Sequence, residues 1–310
     1  FIPSAGQYKN IIPDRKMKEE GESFMQPFIN IAGYAIPSYG MMVVIGSLLS
    51  IAVVLLRCPK RKIPLDNQLY FTAFILMFTL LGAKLLYLIQ NLPQLWENAD
   101  IIFESWSSFL NYLGGGFVFY GGLIGGCIGA FCYAKFFRIN GVAEAENFVL
   151  IIPLFHCCGR IGCFLAGCCY GIKYDGPLAV TFTESLGAPD GVSLFPVQLA
   201  EAGLNLLVFF LLLALDKRLK KPLQNFGVYA IIYGTERFFL EFLRGDSARG
   251  VWILSTSQWI SLLILIPVGI YMLVCRTDKN FLVWRMLNGC IPKGNPAAAG
   301  NSKTRQAAGK

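Results

Sequence analysis

Apolar residues along this chain neither alternate nor fall on one helical face. They run for about twenty residues at a time between short polar segments. A run of roughly 20 apolar residues is what an α-helix needs to cross a hydrocarbon core about 30 Å thick. The pattern predicts seven spans, at about 38–57, 68–90, 117–137, 147–168, 197–215, 224–243 and 256–275. The expected fold class is therefore an all-α integral membrane protein.

Composition agrees with this reading. The 310 residues are 55% hydrophobic and only 15% charged, against about 25% charged in a soluble domain. A net charge of +8 on such a chain is not a nucleic-acid footprint, and no nucleic-acid partner is expected. Its distribution carries more information. Arg57, Lys60, Arg61 and Lys62 follow the first span, and Lys135 and Arg138 follow the third. Lys217, Arg218, Lys220 and Lys221 follow the fifth, and Arg276, Lys279 and Arg285 follow the seventh. The intervening loops are poor in bases. The positive-inside rule then places the N-terminus outside and the C-terminus in the cytoplasm.

Three segments fall outside the spans. Residues 91–115 carry Glu97, Asp100 and Glu104 with Trp96, Phe103, Trp106 and Phe109, and suit a helix lying at the outer membrane surface. Residues 1–27 are polar, without the apolar region of a cleavable signal. They are expected to be a tail of non-native or upstream origin, because Phe1 is not a natural first residue and Met25 stands just before the apolar pattern begins. The membrane domain is expected at 28–285, followed by a disordered polar tail at 286–310.

Charges inside the spans give the first chemical clue. Arg160 and Arg237 each lie 14 residues from the expected cytoplasmic end of their span, about 21 Å at about 1.5 Å per residue. Both would sit in the outer third of the bilayer. Arg244 lies seven residues after Arg237, about two turns on, and Glu241 between them is spaced to pair with either. A charge at that depth is costly unless it is paired or meets water. One reading is a structural Arg–Glu network. The other is an anion site, with guanidinium forks gripping a phospholipid phosphate. Tyr39, Tyr120, Gln198 and Glu201 open their spans at the same level. Gly121 and Gly122 lie beside Tyr120 in "GGGFVFYGGLIGG". They suit close helix packing, or approach of a headgroup to the backbone.

Six segments in this order resemble the prolipoprotein diacylglyceryl transferase family: "IPSYGMMVVIG", "DNQLYFTAFILMFTLLGAKLLYLI", "GGFVFYGGLIGG", "GRIGCFLAGCCYG", "FPVQLAEAGLNLL" and "YGTERFFLEFLRGD". The resemblance covers about residues 30–275 and implies seven spans with the N-terminus outside. It also implies transfer of a diacylglyceryl group from phosphatidylglycerol to the lipobox cysteine of a signal-peptide-bearing prolipoprotein, with release of glycerol phosphate. No cofactor is implied, and the bacterial inner membrane is the implied location. Arg160 matches the arginine of the family's "GRIGNF" signature, Arg237 its sixth-span arginine, and Tyr39 the tyrosine of its "WYG" motif. Gly159, Gly162 and Gly171 keep the signature glycines. The resemblance thus makes Arg160, Arg237, Tyr39 and Tyr120 the catalytic candidates. Arg244, Glu241, Gln198, Glu201, Gly121, Gly122, Gly159, Gly162 and Cys163 are candidates for substrate binding.

The chain also departs from the family. Tyr120 stands where the family has a histidine, Cys163 and Ala166 replace signature asparagines, and Cys168 replaces a glutamate. Pro37-Ser38 replaces Arg-Trp, and Lys84 replaces the arginine of a second-span "GAR". Donor chemistry is therefore better supported than acceptor identity. A same-fold transferase with a glycan or alcohol acceptor stays open. So do a thiol–disulfide oxidoreductase and a non-catalytic lipid-binding protein.

Five of the ten cysteines, and the only histidine, fall in "HCCGRIGCFLAGCCYG" at 156–171. No pair has CxxC spacing, so no metal site is expected. Cys157 and Cys158 read as small packing residues. Cys163, Cys168 and Cys169 are expected near the outer face, where a disulfide or an arginine-held thiolate would fit. "LAGC" at 165–168 spells a lipobox by chance, since it follows no signal region.

Overall fold

The structure is a computed structural model. It describes residues 27–31, 34–102, 105, 106, 108, 112, 118–137, 141–183, 185–219, 223–246, 250–251 and 253–274. The expected tail at 1–27, except Pro27, and the expected tail at 286–310 lie outside the described residues, as do Phe103, Phe109, Arg138 and most of residues 103–117.

The chain is mostly helical. The first long helices are α1 (Ser38–Arg61) and α2 (Leu65–Gln90), followed by short α3 (Leu92–Glu97) and α4 (Ala99–Ile102). Next come α5 (Phe119–Phe137), α6 (Val142–Val149), α7 (Ile152–Ala166), α8 (Val197–Leu215) and α9 (Gln224–Leu240). The last described helical segment consists of α10 (Thr256–Ile260), a π-helical turn at Ser261–Leu265, and α11 (Ile266–Val274). Among the described residues, five helical segments are long and apolar enough to cross a membrane: Ser38–Arg61, Leu65–Gln90, Val142–Ala166, Val197–Leu215 and Thr256–Val274. The other two expected spans are helical but weaker by that measure. Lys135 and five glycines fall within α5, and α9 has only 17 residues.

Strands occur as well, which qualifies the all-α expectation. Short antiparallel pairs join β1 (Phe28–Ile31) to β2 (Tyr34–Pro37), β3 (Val180–Thr181) to β4 (Ser193–Leu194), and β5 (Gly250–Val251) to β6 (Leu254–Ser255). The second pair sits in the long α7–α8 connection over a small core of Phe164, Phe182, Ala188 and Leu194.

Two expected spans are broken. The fourth begins earlier than 147 and divides at Leu150–Ile151. Pro153 is the physical reason, because it has no N–H to offer the carbonyl one turn back. The sixth stops being α-helical at Leu240, where Glu241–Leu243 forms a 3-10 turn and Arg244 becomes extended. Arg244 therefore does not continue the helical face of Arg237.

Packing runs in pairs, with α2 along α5, α7 between α1 and α8, and α9 along α11. The α2–α5 seam depends on glycine: a Cβ on Gly121 would collide with the Gly82 carbonyl, and one on Gly125 with the Phe78 carbonyl. Small residues let helix backbones approach where lipid offers no hydrophobic drive to associate. At the other end of that seam, Phe71, Phe74, Phe148 and Tyr133 stack edge to face, and Tyr133 Oη donates to the Asn67 carbonyl at 3.0 Å.

The basic end of α1 is tied to the rest by an ionic network. Arg57 Nη2 donates to Asp216 Oδ2 at 2.5 Å, and Arg61 pairs with both Asp216 and Glu146. Glu146 also accepts the Leu223 amide at 2.7 Å. Beside it, buried Asn147 accepts from Arg57 Nε at 3.1 Å and donates to Gln68 and to the Val54 carbonyl. The bases that the positive-inside rule uses thus fasten three helices at one end.

Candidate functional site

The site is built on α7, α8 and α9, around one carboxylate. Glu201, one turn into α8, is fully buried. Three basic groups surround it. Arg160 Nη2 from α7 lies 2.8 Å from Oε1, Arg237 Nη1 from α9 lies 3.8 Å from Oε2, and His156 Nε2 lies 3.5 Å from Oε1. His156 and Arg160 share a face of α7 because they are four residues apart. Arg237 also pairs with Glu241 Oε2 at 2.7 Å, across one turn. Asn205, four residues after Glu201, donates to the Glu201 carbonyl at 2.9 Å and to Glu236 Oε1 at 3.1 Å. The Tyr233 ring packs on His156 with centroids 5.1 Å apart.

The cluster is not saturated by its own partners. Arg160 Nε and Arg237 Nη1 are buried without a hydrogen-bond acceptor in the protein. Glu201 Oε1 is in ionic contact with Arg160, but the angles do not make a hydrogen bond. A purely structural ion-pair network would be expected to satisfy its buried donors. Glu236 Oε2 and Glu241 Oε2 are also buried without a hydrogen-bond donor among the described residues, so the cluster has open sites of both signs; the spare guanidinium donors suit an anionic ligand with several oxygens.

Arg160, Arg237, Glu201 and Glu241 thus come together. Gln198 lies one turn before Glu201 and fastens the chain after α7, its Nε2 donating to the Cys168 carbonyl at 2.8 Å. Tyr39, at the start of α1, packs against Gly162 on α7, two residues after Arg160. Beyond its chain neighbours and its own helix backbone, no atom of the described residues stands within 4 Å of where a Cβ on Gly159 would be.

Other candidates are placed elsewhere. Arg244 pairs with neither Glu241 nor the cluster; it is bidentate to Asp246, at 2.9 and 2.6 Å. Gly121 packs on Gly82 and Leu86, and Gly122 on Thr79 and Ala83, so the helix-packing reading accounts for both. Tyr120 opens the same helix and is 36% exposed.

Sequence reasoning did not select His156, Asn205, Tyr233, Glu236 or Asp246 as site residues. Spacing held a usable signal for three of them. His156 precedes Arg160 by four, Asn205 follows Glu201 by four, and Tyr233 precedes Arg237 by four.

Comparison with known proteins identifies the family. A family model described as prolipoprotein diacylglyceryl transferase matches residues 26–275. A phosphatidylglycerol–prolipoprotein diacylglyceryl transferase of Clostridium tetani is 36% identical over 248 residues, covering 80% of this chain and 96% of the relative. A second such transferase, of Clostridium perfringens, is 35% identical over 237 residues, covering 76% and 90%. One of Clostridioides difficile is 30% identical over 248 residues, covering 80% and 94%.

Proposed function

The chain belongs to the prolipoprotein diacylglyceryl transferase family, and from that premise we propose that it moves a diacylglyceryl group from phosphatidylglycerol to the lipobox cysteine of a prolipoprotein. The observation that carries the reading is the pair of buried, under-satisfied guanidiniums at Arg160 and Arg237, both held by Glu201. They would bind the donor phosphate. The acceptor sulfur then attacks the diacylglyceryl carbon, the bond from that carbon to the phosphate oxygen breaks, and glycerol phosphate leaves with the electron pair. Negative charge grows on the leaving oxygen, where fixed cationic donors in a dry site stabilise it most.

The acceptor thiol must also lose a proton. His156 is the chain's only imidazole, and it lies in the cluster itself, 3.5 Å from the carboxylate that holds Arg160, whereas Tyr120 stands on a helix outside α7, α8 and α9. It is therefore favoured over Tyr120 for that step. Tyr39 and Tyr120 remain as hydrogen-bond partners for the headgroup, and Glu241 orients Arg237. Seven spans, an external N-terminus and a cytoplasmic C-terminus in the bacterial inner membrane complete the reading, supported by the alternation of basic loops.

The test is mass spectrometry of a lipobox peptide incubated with the purified protein and phosphatidylglycerol. A diacylglyceryl adduct on the peptide cysteine, with stoichiometric glycerol phosphate, is expected. Glycerol phosphate release without peptide modification would point to another acceptor, a reading favoured by the cysteines that replace family Asn and Glu. Neither product would leave only lipid binding.

A further inference from the structure

The three cysteines that follow Arg160 come together at the C-terminal end of α7. The Sγ atoms of Cys163, Cys168 and Cys169 all lie within 4.8 Å of one another, and all three residues are free thiols. Linear spacing hides this cluster; the helix end creates it. Gly167, at φ 66, turns the chain back, so the Cys168 amide donates to the Cys163 carbonyl at 3.1 Å and its thiol reaches the same oxygen at 3.6 Å. Cys169 adopts φ 58, a left-handed conformation uncommon for a side chain of this kind. Such strain persists only where the surroundings over-determine it. Here Gln198 holds the Cys168 carbonyl, the Gly245 amide donates to the Tyr170 carbonyl at 3.0 Å, and Gly171 bridges to Arg244.

The donor set is uniform. It is three sulfurs, with no carboxylate or imidazole among them. Thiolate bonds to zinc are about 2.3 Å, which for a tetrahedral ion sets sulfurs about 3.8 Å apart. The thiols need to close by only about 1 Å at most. Soft thiolate donors select thiophilic cations such as Cu(I) and Zn(II).

We propose that Cys163, Cys168 and Cys169 bind one thiophilic d10 cation, Zn(II) or Cu(I). Each thiol gives its proton to solvent as its metal–sulfur bond forms, and no oxidation state changes. Three thiolates satisfy trigonal Cu(I), whereas Zn(II) would keep a fourth position for water. The proposal does not depend on the transferase reading, because its test reads metal rather than activity.

The test uses the full-length protein in detergent, reduced and stripped of metal. It is titrated separately with Zn(II) and Cu(I) against chromogenic chelators, and bound metal is counted by elemental mass spectrometry. One ion per chain is expected from the arm that binds, and Co(II) should give sulfur-to-cobalt charge-transfer absorption. Cys163→Ser, Cys168→Ser and Cys169→Ser should each weaken binding by at least about tenfold, whereas Cys132→Ser on α5 should not. Bound metal should also slow alkylation of all three cysteines together in the wild-type protein, a readout that needs no variant to fold. Binding unaffected by the three substitutions, alkylation protection elsewhere, or a Cys163–Cys168 disulfide formed while metal is present would each overturn the proposal.

Discussion

Arg160 Nη2 lies 2.8 Å from Oε1 of Glu201, whose side chain is only 1% exposed. Burying a charge pair is costly, and it persists where geometry or function holds it. Glu201 does more than neutralise one arginine, because Arg237 and His156 approach the same carboxylate. A bound phosphate would therefore meet guanidiniums that are already oriented, without the entropy cost of collecting them.

Removing that carboxylate should be severe. Glu201→Ala leaves two buried cations under-compensated and should cost about 3–5 kcal/mol of stability. Glu201→Gln keeps the shape but loses the charge, and should retain folding while losing most donor turnover. Thermal unfolding in detergent and glycerol phosphate release measure the two effects. A Gln variant with parental turnover would mean that Glu201 is only a packing residue.

The guanidinium forks should matter beyond their charge. Arg160→Lys and Arg237→Lys keep the cation but lose planar, two-pronged donation to phosphate oxygens. Each variant should lose most transferase activity, read as glycerol phosphate release. If either turns over phosphatidylglycerol at the parental rate, that residue does not grip the phosphate in two-pronged fashion.

The apolar runs located the long helices among the described residues, because a helix that crosses lipid needs length and little else. They could not locate the division at Leu150–Ile151 or the π-helical turn at Ser261–Leu265, which are local backbone adjustments. Arg160, Arg237 and Glu201 were legible as site candidates, because a charge inside an apolar run is costly and persists only where pairing or function holds it. The partner of Arg244 was not legible, because helical spacing to Glu241 does not continue past Leu240, where the α-helix ends. The thiol cluster was illegible for a related reason. Its geometry comes from two left-handed residues, Gly167 and Cys169, which no residue spacing announces.

At the opposite end of the bundle, Asp216 gives a pH-dependent prediction. Burial alone would raise its carboxyl pKa, but the Arg57 and Arg61 guanidiniums outweigh burial and hold it below the ordinary carboxylate range. A depressed folded-state pKa contributes stability that is present above the unfolded value, about 3.9, and is lost as pH falls through the folded value. The melting temperature of the wild-type protein should therefore fall on acidification below about pH 4. Asp216→Asn should cost about 1.5–3 kcal/mol at neutral pH and flatten that acid limb. An unchanged acid limb in the variant would remove Asp216 from the account.

The α2–α5 seam should tolerate no added carbon. Gly125→Ala places a methyl group against the Phe78 carbonyl and should destabilise by about 1–3 kcal/mol. Gly203→Ala on α8, where a Cβ meets nothing within 4 Å, should be neutral or slightly stabilising. Equal melting temperatures for the two variants would contradict the close approach.

The fate of the acceptor proton separates His156 from Tyr120. His156 lies 3.5 Å from Glu201 on the Arg160 face of α7, whereas Tyr120 opens a helix that packs along α2. A positioned general base contributes about 10²–10⁴ in rate. His156→Gln should therefore lower kcat for peptide lipidation by about that factor, while the KM for phosphatidylglycerol changes little, since the phosphate contacts belong to the arginines. Tyr120→Phe should lose far less, because only a hydroxyl near the headgroup is removed. If Tyr120→Phe instead shows the large kcat loss and His156→Gln does not, the proton goes to the phenol, and His156 serves only to brace Glu201.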